Sequence, residues 1–176
     1  APGINGPRPK AFMTTSACGV CSSDILAAFA GPKADLAHEN WRLNAIQCET
    51  MIEAMREHQK LFDKTGSLHA AALFTETGQV LFVREDVGRH NAVDKVVGKA
   101  YLEGNFPMTN HILTVSGRVS YEIVHKALTA SVAAIVAVSG PTTLAVDLAK
   151  EHGLVLIGFT REGTFNIYSG AEKVIM

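Results

Sequence analysis

The 176-residue chain predicts an α/β fold, a mixed sheet with helices on both faces, and three observations predict it. The tripeptide Val-Ser-Gly occurs at 115–117 and again 23 residues on at 138–140, each time between a short apolar run and a helical one. Two successive strand-loop-helix units of this kind imply parallel buried strands whose loops share one carboxyl edge. Glu76-Thr77-Gly78-Gln79 separates two further apolar runs in the manner of a hairpin. Apolar residues at helical spacing before and after that hairpin supply the covering helices.

In chain order, Ile25–Phe29 gives one or two helical turns that Gly31-Pro32 stops. From Trp41 to Phe62, the residues Leu43, Ile46, Met51, Ile52, Met55 and Phe62 suit one helix with a buried face, and Cys48 beside that stripe reads as core filler. Leu68–Phe74 and Val80–Val83 are the hairpin strands. Asn91–Glu103 is a helix, with Val93, Val96, Val97, Ala100 and Tyr101 on one side and Gly104 closing it. Ile112–Val115 is a strand and Tyr121–Ser131 its helix; Ala134–Val138 is a strand and Thr142–His152 its helix. Leu154–Phe159 adds another strand, and Asn166-Ile167-Tyr168 an edge one.

With 47% hydrophobic and 19% charged residues, the chain has material for one ordinary core, and residues 1–176 are expected to form a single domain. A net charge of −1 argues against a globally basic nucleic-acid-binding surface. No apolar run reaches the ~18 residues of a membrane span, and no secretion signal is evident. Three cysteines, an odd number, fit a reducing cytoplasm. The chain begins Ala-Pro-Gly rather than with Met, so a preceding segment is expected to be missing.

The run Thr14-Thr15-Ser16-Ala17-Cys18-Gly19-Val20-Cys21 carries the sharpest chemical signal. Two thiols at this spacing hold a metal, exchange a disulfide or carry a sulfur atom. A tetrahedral metal site needs two more ligands, and none stands at local spacing: Cys48 is the other cysteine, and the seven histidines show no paired H-x3-5-H pattern. No metal is expected. A redox pair sits where a strand meets a helix, whereas Pro7-Arg8-Pro9-Lys10 precedes this motif. A flexible, exposed loop over about 14–23 remains, which suits a sulfur carrier; the alternative is an inert pair.

Both Val-Ser-Gly loops offer backbone N–H groups to an anion at the carboxyl edge. Ser116 and Ser139 stand in those loops, with Arg118 after the first and Arg161 after the last long strand, so that two guanidinium groups are available to a phosphate. Alternatively, the glycines only end strands and the arginines are solvated. The dense cluster Arg84 to Lys95 is likewise open to two readings. It is a solvated charged face, or alternating charges around Gly88, with His90 and Asn91 at a helix entrance, hold a polar heterocycle or ribose.

The segments TTSACGVC (14–21), HAAALF (69–74), LFVREDVGRHNAVDKVVG (81–98), SGRVSYEIVHKAL (116–128) and GFTREGTFNIYSG (158–170) together resemble the formate dehydrogenase accessory protein family, FdhD, over nearly the whole chain. The resemblance implies a cytidine-deaminase-like fold, usually preceded by a β-rich segment absent here. It also implies a cytoplasmic sulfurtransferase that takes sulfur as a persulfide from a cysteine desulfurase. The sulfur passes to the molybdenum cofactor, in its bis-guanine-dinucleotide form (bis-molybdopterin guanine dinucleotide), before insertion into formate dehydrogenase. Carried onto this chain, Cys18 would bear the persulfide and Cys21 assist it. Phe159, Thr160, Arg161, Glu162, Gly163 and Thr164 would contact the cofactor; Ser116, Arg118, Ser139, Arg89 and His90, read above from charge and helix starts rather than from the resemblance, are expected as further contacts. GDP or GMP would act as partial mimics, and a homodimer is expected. Zinc deaminase chemistry is disfavoured, because His69 is followed by Ala70 and Ala71 where a deaminase needs His-x-Glu, and the CxxC precedes the histidine. His69 then reads as a structural or ligand-contacting residue. Sulfur transfer, cofactor chaperoning and a partner scaffold stand as the three functional classes, and alkylation of Cys18 separates the first from the others.

Overall fold

Alternation along the strands divides the apolar residues into two cores, one on each side of a single six-stranded sheet. The computed structural model describes residues 34–36 and 41–176; the Cys18–Cys21 motif and the turns expected at 25–29 lie outside the described residues. The strands are β1 (Leu43–Asn44), β2 (His69–Phe74), β3 (Val80–Asp86), β4 (Ile112–Val115), β5 (Ala134–Ala137), β6 (Val155–Arg161), β7 (Thr164–Ser169) and β8 (Val174–Ile175). The helices are α1 (Ile46–Glu57), α2 (Lys60–Thr65), α3 (Arg89–Leu102), α4 (Tyr121–Thr129) and α5 (Thr143–Glu151). Sheet order is β3-β2-β4-β5-β6-β7, with β4, β5 and β6 parallel and the remaining pairs antiparallel.

Ala71, Leu73, Leu113, Val115, Ile135, Ala137 and Leu156 face α3, α4 and α5. Their neighbours Ala70, Ala72, Phe74, Ile112, Ala134, Val136, Val155 and Ile157 face α1 through Cys48, Met51 and Met55. Helices therefore cover both faces, α3, α4 and α5 on one and α1, with the short α2 after it, on the other. The parallel strands β4 and β5 are buried throughout, and β6 over its first four residues, as the apolar runs require. The edge position expected for Asn166-Ile167-Tyr168 holds, on a longer strand, β7.

Two expectations need correction. The helix expected over 41–62 is three elements: Leu43 and Asn44 pair with Val174 and Ile175, some 130 residues away, and the helix breaks at His58-Gln59. Local periodicity carries no information about either partner. The break is held open from across the fold, because the Glu85 carboxylate accepts the N–H groups of Leu61 (2.9 Å) and Phe62 (2.8 Å) and so starts α2. Secondly, β3 runs to Asp86, and α3 begins at Arg89 rather than Asn91. Asp86 Oδ1 accepts from Gly88 N (2.9 Å) and Asn91 Nδ2 (3.0 Å), fixing the turn between them.

Candidate functional site

The carboxyl ends of β4, β5 and β6 meet the amino end of β2 and the end of β3, so that one edge gathers residues far apart in sequence. Along it stand, in sheet order, Asp86, His69, Ser116, Val138 and the Gly158–Arg161 segment. Helices α3, α4 and α5 all begin here. Their aligned peptide dipoles place partial positive charge on this edge. Thr142 caps α5 by accepting from Ala145 N at 3.3 Å, whereas no side chain caps α3 or α4.

On the α3–α5 side, Gly117 lets three groups close together. A Cβ there would lie 3.2 Å from His69 Nδ1 and 3.3 Å from Arg89 Cβ, so a side chain would force apart the expected site residue Arg89 and the imidazole. Burial, then the charges of Arg89 and Arg118, lower the His69 pKa and favour the neutral ring. Arg118 itself is exposed. His90 Nε2 lies 2.7 Å from Ser120 Oγ and 3.0 Å from Glu122 Oε2, joining the first turn of α3 to that of α4. Burial first, then Arg89 and Lys126, lower the His90 pKa to about 4, while burial raises that of Glu122. Ser120 and Glu122 escaped the sequence reading. A Ser at the helix entrance with a Glu in the first turn was the signal, but both residue types are common at helix N-termini.

The charged cluster at 84–95 divides between structure and site. Glu85 caps α2, and Asp86 holds the α3 turn. Lys95 pairs with Asp86 Oδ2 at 2.5 Å and donates to Glu85 O at 3.0 Å. Hydrogen bonds from Lys95, Gly88 and Asn91 lower the Asp86 pKa to about 2. Arg89 and His90 are the members left at the edge, whereas Asn91 serves the turn.

On the opposite side, under α1 and α2, a cleft of about 490 Å³ opens at the same edge. Ile52, Met55, Phe62, Leu68 and Val138 form its apolar walls, and Gln59, Ser67, His69 and Ser116 its polar ones. Ser116 Oγ accepts from Ala70 N at 2.9 Å, which leaves its hydroxyl proton for another partner. Arg56 closes one end but is committed to Asp63 (2.7 Å) and to the Phe62 ring (4.8 Å). Nothing in the sequence pattern singled out Gln59.

The Phe159–Thr164 segment follows from a bulge in β6. Gly158 is needed because a Cβ would lie 3.0 Å from Ser139 O and 3.3 Å from Pro141 Cδ. Phe159 then adopts φ +55°, exposes its ring and lays it over Gly140, while Thr160 turns inward with 1% exposure. Ser139 is thus joined to this segment. Arg161 ends β6 and is exposed. Glu162 and Gly163, both at positive φ, form the turn, and Gly163 N donates to Glu49 Oε1 of α1 at 2.8 Å. Arg118 and Arg161 accordingly stand at the ends of β4 and β6, with β5 between them. Among the described residues no three His, Cys, Asp or Glu side chains gather where they could hold a metal ion.

Comparison with known proteins gives a consistent picture. The profile of the FdhD/NarQ family matches residues 5–175. A protein of Streptomyces coelicolor named sulfur carrier protein FdhD is 44% identical over 183 residues, spanning 100% of this chain and 64% of that protein. One of the same name from Saccharolobus solfataricus is 44% identical over 169 residues, spanning 96% of this chain and 64% of the relative. This chain therefore spans a little under two thirds of the length of these curated relatives. The crystal structure of a protein from Desulfotalea psychrophila, described as a formate dehydrogenase accessory protein, superposes with a TM-score of 0.71 at 28% identity. That match covers 82% of this chain and 60% of the other. With nearly every residue inside the family match and a solved relative sharing the fold, the chain belongs to the FdhD/NarQ family.

Proposed function

We propose that this protein is a cytoplasmic sulfur carrier for formate dehydrogenase maturation, acting through a persulfide on Cys18. The Cys18 thiolate attacks the terminal sulfur of a cysteine desulfurase persulfide, the donor's S–S bond breaks, and the donor cysteine leaves as its thiolate. No net oxidation occurs. Cys21 tunes the neighbouring thiolate or resolves the persulfide. In the second case it attacks the Cys18 sulfur and expels hydrosulfide, and a dithiol reductant must reopen the resulting disulfide. The receiving substrate is the molybdenum cofactor as bis-molybdopterin guanine dinucleotide, held along the carboxyl edge by Arg89, Arg118 and the starts of α3 and α4, with Ser139 and Phe159–Thr164 further along. A homodimeric state and the cytidine-deaminase-like description of the fold belong to the same reading.

The observation that carries this reading is the convergence of Arg89, Arg118 and uncapped helix starts on one edge, in a chain whose family match includes both motif cysteines. Guanidinium groups and helix N-termini are what a polyphosphate substrate requires. Intact-mass measurement after incubation with a cysteine desulfurase and free cysteine tests it. A reducible adduct of one sulfur mass, mapped to Cys18, is expected. An unmodified chain, or sulfur mapped to Cys48, overturns the carrier mechanism and leaves a cofactor chaperone.

A further inference from the structure

Strand β3 ends the sheet with one side unpaired, and its register decides which backbone groups that side presents. The Ser116 N–H donates to Ala70 O on the β4 side of β2, so Ala71 and Leu73 bond the other way, to Arg84 and Phe82 of β3. Val83 and Glu85 therefore turn their N–H and C=O groups outward. The chain's own cations occupy the two carbonyls: Arg84 Nη1 donates to Val83 O at 2.8 Å and Lys95 Nζ to Glu85 O at 3.0 Å. The two N–H groups face a groove of about 650 Å³ between α2 and α3.

The groove has two chemically different sides. Val83 packs toward the α1 core and Phe82 toward the α3–α5 core, so Arg84, two residues after Phe82, lies on the α3 side. On the α2 side Leu61, 51% exposed, and Val83 are apolar, and Glu85 is spent on the N–H groups of Leu61 and Phe62. On the α3 side stand Arg84, Lys95 and Lys99. Lys95 and Lys99 pair with Asp86 and Glu103, whereas Arg84 has no carboxylate partner among the described residues. Gly98 lies in α3 at the same groove, where a Cβ would meet nothing within 4 Å. Glycine weakens a helix interior relative to alanine, and no neighbour in the described fold requires it here. It leaves a flat strip of helix against which another backbone can lie.

We infer that the outer edge of β3 accepts an extended segment of a partner protein, one that alternates apolar with acidic side chains and adds to the sheet as a further strand. Its carbonyls take the N–H groups of Val83 and Glu85. Its apolar side chains point to Leu61 and Val83, and its carboxylates, one residue on in each case, point to Arg84, Lys95 and Lys99. Drawn to those carboxylates, Arg84 and Lys95 release the strand's own carbonyls to the partner's N–H groups. A second copy of β3 is a poor occupant, because it would set one cationic edge against another. Strand β3 reaches the carboxyl edge at Asp86, so a segment seated here has one end beside the start of α3.

Titration of the full chain with a capped heptapeptide of alternating valine and glutamate, followed through the backbone amide resonances, tests the assignment. The amides of Val83 and Glu85 should shift and exchange more slowly with solvent, while those of Phe82 and Arg84, already bonded to β2, should shift less. Replacing the peptide's glutamates by lysines should weaken binding at least about tenfold, and Arg84→Glu should reverse that preference. Gly98→Gln favours the helix and fills the groove. It should raise the melting temperature and yet weaken the glutamate peptide about tenfold or more, a combination that a misfolded variant does not give. Unmoved Val83 and Glu85 amides, equal binding of the two peptides, or undiminished binding by Gly98→Gln would show an edge that its cations only guard, and would overturn the inference.

Discussion

His90 lies 3.0 Å from the Glu122 carboxylate and is nonetheless held neutral, because burial, then the charges of Arg89 and Lys126, outweigh the opposing pull of Asp94. Its pKa falls from 6.5 to about 4 on folding, so between those values the unfolded chain takes up a proton that the folded chain refuses. The stability His90 contributes is fully present above pH 6.5 and is lost as the pH falls toward 4. Urea unfolding at pH 7 and at pH 4.5 should show the native protein losing about 1–2 kcal/mol more than His90→Gln, once solvent screening is allowed for. Equal losses would show that the ring titrates normally. The cysteines illustrate the same contest between burial and charge. Cys48 is fully buried, and burial pushes its pKa up to about 11, so it offers almost no thiolate near neutrality. Cys48→Ala should keep full persulfide loading at a stability loss of about 1 kcal/mol, whereas Cys18→Ala should abolish loading with the fold intact; mass spectrometry and thermal melting read the two effects.

Helix α2, six residues long, is too short to persist without outside help. Its help comes from strand β3, where Glu85 meets two N–H groups of the first turn. Glu85→Ala should therefore destabilise the protein by about 1–2 kcal/mol, and amide exchange over 60–65 should quicken before that of the sheet. Unchanged protection there would remove Glu85 from this role. The bulge in β6 shows a similar dependence between elements. A Cβ on Gly140 would lie 2.6 Å from Phe159 Cζ, so Gly140→Ala must displace the ring. A loss of about 1–3 kcal/mol is expected, and it should shrink in a Phe159→Ala background, since the smaller side chain removes the clash; equal losses in both backgrounds would place the strain elsewhere.

Across the molecule, the two halves of the carboxyl edge should act together on a nucleotide. Calorimetry with GDP should give a ten- to hundredfold weaker affinity in Arg161→Ala if that guanidinium reaches a phosphate, equivalent to about 1.5–3 kcal/mol. Equal affinities would confine the phosphate site to Arg89 and Arg118. Sequence by itself determined the strand-loop-helix repeat, the hairpin, the buried parallel strands and the shared edge of the two Val-Ser-Gly loops. Periodicity and turn chemistry are local properties, and parallel connection rules convert them into topology. It also determined family membership, through long motifs spread along the chain. Only the tertiary structure decided that the run 41–62 splits into a strand and two helices, that Glu85, Asp86 and Lys95 are scaffolding while Arg89 and His90 face the edge, and that Gln59 lines a cleft. Each of those outcomes depends on a partner distant in sequence: β8 for Leu43, Leu61 and Phe62 for Glu85, Gly117 for Arg89. A side chain's type fixes which bonds it can make, but the fold alone fixes which partner arrives.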